Sequence, residues 1–181
     1  PIYESAIKYT GAKPIPMKLT IKNDFNIDIE KLKASINKNT SLIIFNSPSN
    51  PTGGIVNQND LNEIVNILEK NPHIYILSDE IYSRIIYDNI NYKSLLSYPQ
   101  LKDRIILLDG WSKTYAMTGW RVGYSVWPSK LVKISERLNI NSFSCTNTPA
   151  QYGALAATEG PQDCVAKMVS IFDNRRKMIF T

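Results

Sequence analysis

The chain has 181 residues, 43% of them hydrophobic and 20% charged, with a formal net charge of +5. That composition belongs to a globular protein with one sizeable core, not to a disordered segment, and no run approaches the roughly 18 apolar residues of a membrane helix. Cys145 and Cys164 form no C-x-x-C pair and His73 is the only histidine, which argues against zinc sites, disulfide scaffolds and His-based triads; a reducing, cytoplasmic setting is expected.

In chain order, "KPIPMKL" (13–19) reads as an edge-type strand because it holds two prolines. "IEKLKASI" (29–36) reads as a helix with Ile29, Leu32 and Ile36 on one face and Asp28 as its N-cap. "SLIIFN" (41–46) is a buried strand. "NQNDLNEIVNILEKN" (57–71) is a helix, since Leu61, Ile64, Val65 and Leu68 recur at i, i+3, i+4 and i+7. "HIYILSD" (73–79), with His73 at its entry, "RIILLD" (104–109) and "RVGYSVW" (121–127) are further strands. Helices are expected at about 128–140 and 147–159, and from about 162 to the end. The lysines are scattered, and the one dense basic run, "NRRKM" (174–178), covers about one helical turn, so solvated faces are expected and neither nucleic acid nor membrane is a predicted partner.

Apolar strands separated by helices predict an α/β fold, a three-layer α/β/α arrangement with a mostly parallel central sheet. Ligands of such sheets collect beyond the carboxyl ends of the strands. There the sequence places "SPSNPTGG" after the first buried strand, "SDEIY" at the end of the second and "GWSK" after the third. Asp79, ending an apolar strand, either caps a loop or presents a fixed anion to a cationic ligand. Lys113 is a surface lysine or a desolvated amine able to form a Schiff base. Arg121 is a structural ion-pair partner or a fork for phosphate. "SNPTG" is a turn in its own right, and Tyr82 can be core. A lysine imine, a carboxylate for a ring nitrogen and a guanidinium for a phosphate together describe one cofactor, pyridoxal 5'-phosphate (PLP).

With "NSPSNPTG" (46–53), "SDEIY" (78–82) and "SKTYAMTGWRVGY" (112–124) in this order, the chain resembles the class I and II aminotransferases, PLP enzymes of fold type I. "PIYESAIKYTGAKPIPM" is similar to that family's segment entering the large domain. The resemblance implies that Lys113 forms the Schiff base and then carries the proton between the substrate α-carbon and the cofactor. It implies that Asp79 pairs with the pyridine nitrogen, that Tyr82 and Asn50 hydrogen-bond the ring 3-oxygen, and that Arg121 grips the phosphate. No metal is implied. The implied substrates are an amino acid and a 2-oxo acid. Gly110 stands where many members carry a phosphate-binding serine; Ser112 is near but not equivalent. Residues 1–181 are expected to be the central part of the PLP-binding large domain, cut at both ends and without the small domain. A carbon–sulfur β-lyase or aminocyclopropane-carboxylate synthase of the same fold, and the aminotransferase-like sensor domain of a transcription regulator, are the alternative readings. "NINSFSCTNTPAQYGALAA" (139–157), a polar stretch followed by a small-residue helix, adds the expectation of a homodimer.

Overall fold

A four-stranded sheet organises residues 2–180, which the computed structural model describes. Strands β1 (Leu42–Asn46), β2 (Tyr75–Asp79) and β3 (Ile105–Gly110) run parallel, and β4 (Gly123–Val126) lies antiparallel against β3. The order is β1-β2-β3-β4. The helices are α1 (Ile2–Tyr9), α2 (Ile29–Ser35), α3 (Gln58–Lys70), the one-turn α4 (Trp111–Thr114), α5 (Ser129–Ser142), α6 (Thr148–Glu159) and α7 (Asp163–Ile179). The fold is thus α/β with a mostly parallel sheet.

The local chemistry explains the boundaries. The Asp28 side chain accepts from the Lys31 N–H and starts α2; Asn57 accepts from the Asp60 N–H and starts α3. Leu61, Ile64, Val65 and Leu68 of α3 are buried together with Ile67. They form one core with Leu32 of α2, Ile74, Ile76 and Ile105 at the sheet, and Leu95, Tyr98 and Leu101 from the short 3-10 turns before β3. Each such side chain taken out of water contributes about 1.5–3 kcal/mol. A smaller cluster joins α6 to the segment after α4: Met117 and Val122 pack with Ala150 and Ala154.

Two expectations are corrected. Residues 13–19 form no strand. Pro14 and Pro16 lack the N–H groups that a sheet edge needs, and the segment instead lays Met17 against the main core. The strand expected over 121–127 begins only at Gly123. Arg121 has φ 53° and ψ 42°, a left-handed conformation that closes the 3-10 turn Thr118–Trp120, and the extended chain resumes beyond it.

Arg104 closes the end of α3. Its guanidinium donates to the carbonyls of Leu68 at 3.0 Å, Asn71 at 3.1 Å and Ile74 at 3.0 Å. Helix C-termini expose carbonyls without partners and favour positive charge, so one side chain satisfies both demands. Arg104→Ala should therefore cost about 1–3 kcal/mol. The check is urea unfolding, with a lower midpoint at an unchanged slope.

Candidate active site

Parallel register brings the strand ends level. Asn46 faces Asp79, and Asp79 faces Leu108 one residue before Asp109. The Asn46 amide donates to the Asp79 main-chain oxygen at 3.1 Å and its side-chain oxygen accepts from the Asn50 N–H at 3.2 Å. This links the "SPSNPTG" loop to the end of β2. Within that loop the Ser49 and Thr52 hydroxyls lie 2.6 Å apart, and Gly53 takes φ 70°, a conformation that favours glycine.

Three of the residues singled out from the sequence meet here. The Asn50 amide donates to the Tyr82 hydroxyl at 3.2 Å, and the Lys113 ammonium lies 5.6 Å from the centre of the Tyr82 ring. Asp79 is half-buried at the end of β2; its Oδ1 accepts from the Ile81 N–H at 3.3 Å and its Oδ2 from the Tyr3 hydroxyl. Lys113 sits in α4, half-buried, with Ser112 one position earlier. Arg121 is exposed, and its guanidinium donates to the Thr118 carbonyl at 2.9 Å; no direct contact joins it to Lys113 or Asp79 among the described residues. Ser112 makes no side-chain hydrogen bond among those residues either.

The glycine that precedes α4 has a steric reason. A Cβ on Gly110 would stand 2.9 Å from the Gly123 Cα and 3.2 Å from the Val122 carbonyl oxygen. Both are main-chain atoms of the facing segment, so a serine at this position would force the strands apart. Trp111 braces the same turn, donating from its indole to Thr158 at 2.9 Å and meeting Tyr124 edge-on at 5.2 Å.

Asp109 was not singled out from the sequence, although it ends the run "RIILLD". It accepts from the Gly110 N–H at 2.6 Å and from the Tyr124 hydroxyl at 3.2 Å. Burial pushes its carboxyl above the usual aspartate range, with the Asp79 charge adding to the rise and the two hydrogen bonds opposing it. Burial and the Asp109 charge push Tyr124 up to about 12. Behind the site the buried Glu80 accepts from Ser78 at 2.8 Å and Ser94 at 2.9 Å, and Tyr92 donates to the Ser47 carbonyl at 3.1 Å. Burial and Glu80 raise the Tyr92 hydroxyl, which stays protonated.

The donor set defines what the site can hold. It offers an amine for a carbonyl carbon, a phenol and an amide for a ring oxygen, and a carboxylate for a cationic nitrogen. A guanidinium fork on the same loop suits phosphate. These groups fit pyridoxal phosphate.

Comparison with known proteins agrees with this fold. The sequence profile of the family described as "Aminotransferase class I and II" matches residues 1–181, and the chain belongs to that family. It is 47% identical to the probable aspartate aminotransferase of Methanocaldococcus jannaschii over 168 residues, 90% of this chain and 44% of that protein. It is 37% identical to the aspartate aminotransferase of Sulfurisphaera tokodaii, covering 98% of this chain and 44% of that one. Among solved structures, the aspartate aminotransferase of Rhizobium meliloti superposes with a TM-score of 0.93 at 32% identity, over 98% of this chain and 44% of the other. An aromatic aminotransferase from Pyrococcus horikoshii gives 0.92 at 32% identity, over 98% and 48%. The chain thus spans less than half the length of each of these relatives.

The raised Asp109 gives a pH signature. Above about pH 4 the unfolded carboxyl releases its proton before the folded one does. The folded state then binds more protons, so stability from this group falls as pH rises through its folded pKa. Asp109→Asn removes that loss. Urea midpoints from about pH 4 to about pH 7 should shift progressively in favour of the variant relative to the parent protein.

Proposed function

We propose that this chain is the cofactor-holding large domain of a PLP-dependent aminotransferase, which moves an amino group between an amino acid and a 2-oxo acid. The observation that carries the reading is the convergence of Asn50, Tyr82 and Lys113, beside Asp79, at the carboxyl ends of parallel strands in an aminotransferase fold. The cofactor, when bound, would supply an aldehyde carbon for an amine and a ring able to draw electrons from the substrate α-carbon.

The chain's own residues have separable tasks. Nζ of Lys113 would hold the cofactor through its aldehyde carbon, and the same amine would serve as the base for the proton on the substrate α-carbon. Its place over the Tyr82 ring keeps the amine close to a flat apolar surface. Asp79 presents a fixed negative charge, which favours the protonated form of a ring nitrogen. Tyr82 and Asn50, already bonded to each other, would offer an O–H and an N–H to the ring oxygen. Arg121, which donates to the Thr118 carbonyl, would hold the phosphate with its fork, and Ser112 would add a hydroxyl on the same loop. The exposed, free Cys145 and Cys164 suit a reducing compartment, and we assign the cytoplasm. No helix among the described residues is long and apolar enough to cross a membrane.

We also propose a homodimer. Residues 139–157 support it in part: Phe143, Tyr152 and Leu155 are exposed apolar side chains. The same segment also serves the chain itself, because Gly153 lies so close to the Trp120 ring that a Cβ there would stand 2.7 Å from it.

Measurements on the full-length protein test the proposal. Incubation with PLP, borohydride reduction and peptide mapping should place the label on Lys113, and a label elsewhere would refute the site. Asp79→Asn should keep PLP bound but lower kcat about 100-fold, near 2.7 kcal/mol of barrier. Incubation with an amino donor and a 2-oxo acid should yield a new amino acid; pyruvate and ammonia would instead mark a lyase. Light scattering over a dilution series should give the dimer mass, and a monomer that still transaminates would exclude a shared site.

A further inference from the structure

The turn that carries Lys113 is gripped from both sides by the end of α6. Two positions before the lysine, the Trp111 indole donates to the Thr158 hydroxyl at 2.9 Å. Two positions after it, the Tyr115 hydroxyl donates to the side-chain oxygen of Gln162 at 2.9 Å. Gln162 stands at the corner between α6 and α7, and its amide nitrogen donates to the carbonyls of Ala157 at 3.0 Å and Gly160 at 2.8 Å. Those carbonyls fix which way the amide faces, because a reversed amide would set oxygen against oxygen. The Gln162 oxygen is therefore turned toward the lysine turn.

A third side chain arrives from the opposite loop. Arg84, two positions after Tyr82, donates from Nη1 to the Tyr115 hydroxyl at 2.8 Å and to the Gln162 oxygen at 2.9 Å. Nη1 carries two hydrogens and an amide oxygen has two acceptor directions, so all three contacts are satisfied at once. We propose that Arg84, Tyr115 and Gln162 form a positioning cluster that holds the Lys113 turn against the Tyr82 turn, and so sets where the amine stands over the ring. This rests on the PLP reading given above. The Lys113 ammonium lies 5.6 Å from the centre of the Tyr82 ring, a contact too loose to fix the spacing of two loops. The directional Arg84–Tyr115 bond, two residues further along each loop, does fix it. None of the three side chains hydrogen-bonds Lys113, Asp79, Asn50 or Tyr82 among the described residues, so the cluster acts through position. A turn held in this way needs less ordering when a ligand binds and when the amine reacts.

The test on the full-length protein pairs Tyr115→Phe, which removes one hydroxyl and keeps the ring, with Arg84→Met, which removes the donors of an exposed side chain and keeps its stem. The readouts are the PLP dissociation constant, from absorbance titration of the apoprotein, and kcat and KM. Both variants should melt within a few degrees of the parent. Tyr115→Phe should raise the PLP dissociation constant about three- to tenfold and lower kcat by a similar factor, with KM for the 2-oxo acid changed less than about twofold. In the Arg84→Met background the same change should alter the PLP dissociation constant less than about twofold. Unchanged PLP affinity in Tyr115→Phe, an effect confined to KM, or equal factors in both backgrounds would overturn the inference. A second pair separates position from fold and decides the matter if Tyr115→Phe melts early. Gln162→Glu keeps an acceptor for Arg84 and Tyr115 but loses the N–H groups that close α6, so it should melt lower while its PLP affinity stays within about twofold of the parent. Gln162→Ala loses both and should weaken PLP binding at least about threefold. Equal weakening by these two changes would mean that the cluster serves the fold alone. Failure of the parent to bind PLP at all would instead overturn the aminotransferase reading, which the same titration reports separately.

Discussion

Register between parallel strands sets Asn46 opposite Asp79 and Asp79 opposite Leu108, so the loops leaving the three strands begin at one level of the sheet. Every proximity in the candidate site follows from that pairing. A slip of one residue would turn each side chain to the opposite face. The pairing itself is held from below, where α3 packs Ile64, Val65 and Leu68 into a core with Ile74, Ile76 and Ile105. Stability on one side of the sheet thus fixes geometry at its end.

The polar groups behind the site show a second layer of the same logic. Glu80 is buried, and a buried carboxylate needs hydrogen-bond donors. Ser78 and Ser94 supply them, one from the strand and one from the start of a 3-10 turn further along the chain. Tyr92 ties this region to the Ser47 carbonyl at the start of the loop that carries Asn50. The loop after β1 and the loop after β2 are therefore joined through Asn46, through the Asn50–Tyr82 pair and through Tyr92.

Much of this was readable in the residues. The i, i+3, i+4, i+7 spacing of α3, the Asp28 cap and the apolar runs of β1, β2 and β3 are local signals, and they appear in the structure close to where the sequence places them. The polar strand ends pointed to Asn50, Asp79, Tyr82 and Lys113, and Asn50, Tyr82 and Lys113 meet. What was not readable depends on contacts between distant segments or on single torsions. Residues 13–19 read as an edge strand because of their two prolines, but the same prolines leave few donors to pair. The left-handed conformation that postpones β4 falls on Arg121 and not on either flanking glycine, Gly119 or Gly123. Tyr3 reaches Asp79 only because α1 folds back over the end of β2, and no spacing rule spans 76 positions.

The close approach of Gly110 and Gly123 constrains more than packing. Their main chains meet where any side chain at 110 would have to go, so the two positions are not free to vary one at a time. A serine at 110, bringing a new hydroxyl to the lysine turn, becomes tolerable only after the facing strand has moved away. In a lineage, the order of changes then matters: the strand shift comes first and carries no benefit of its own, while the hydroxyl that profits from it comes second. The glycine pair works as a ratchet on how this loop can be rebuilt, and it keeps the amine-bearing turn in its present form.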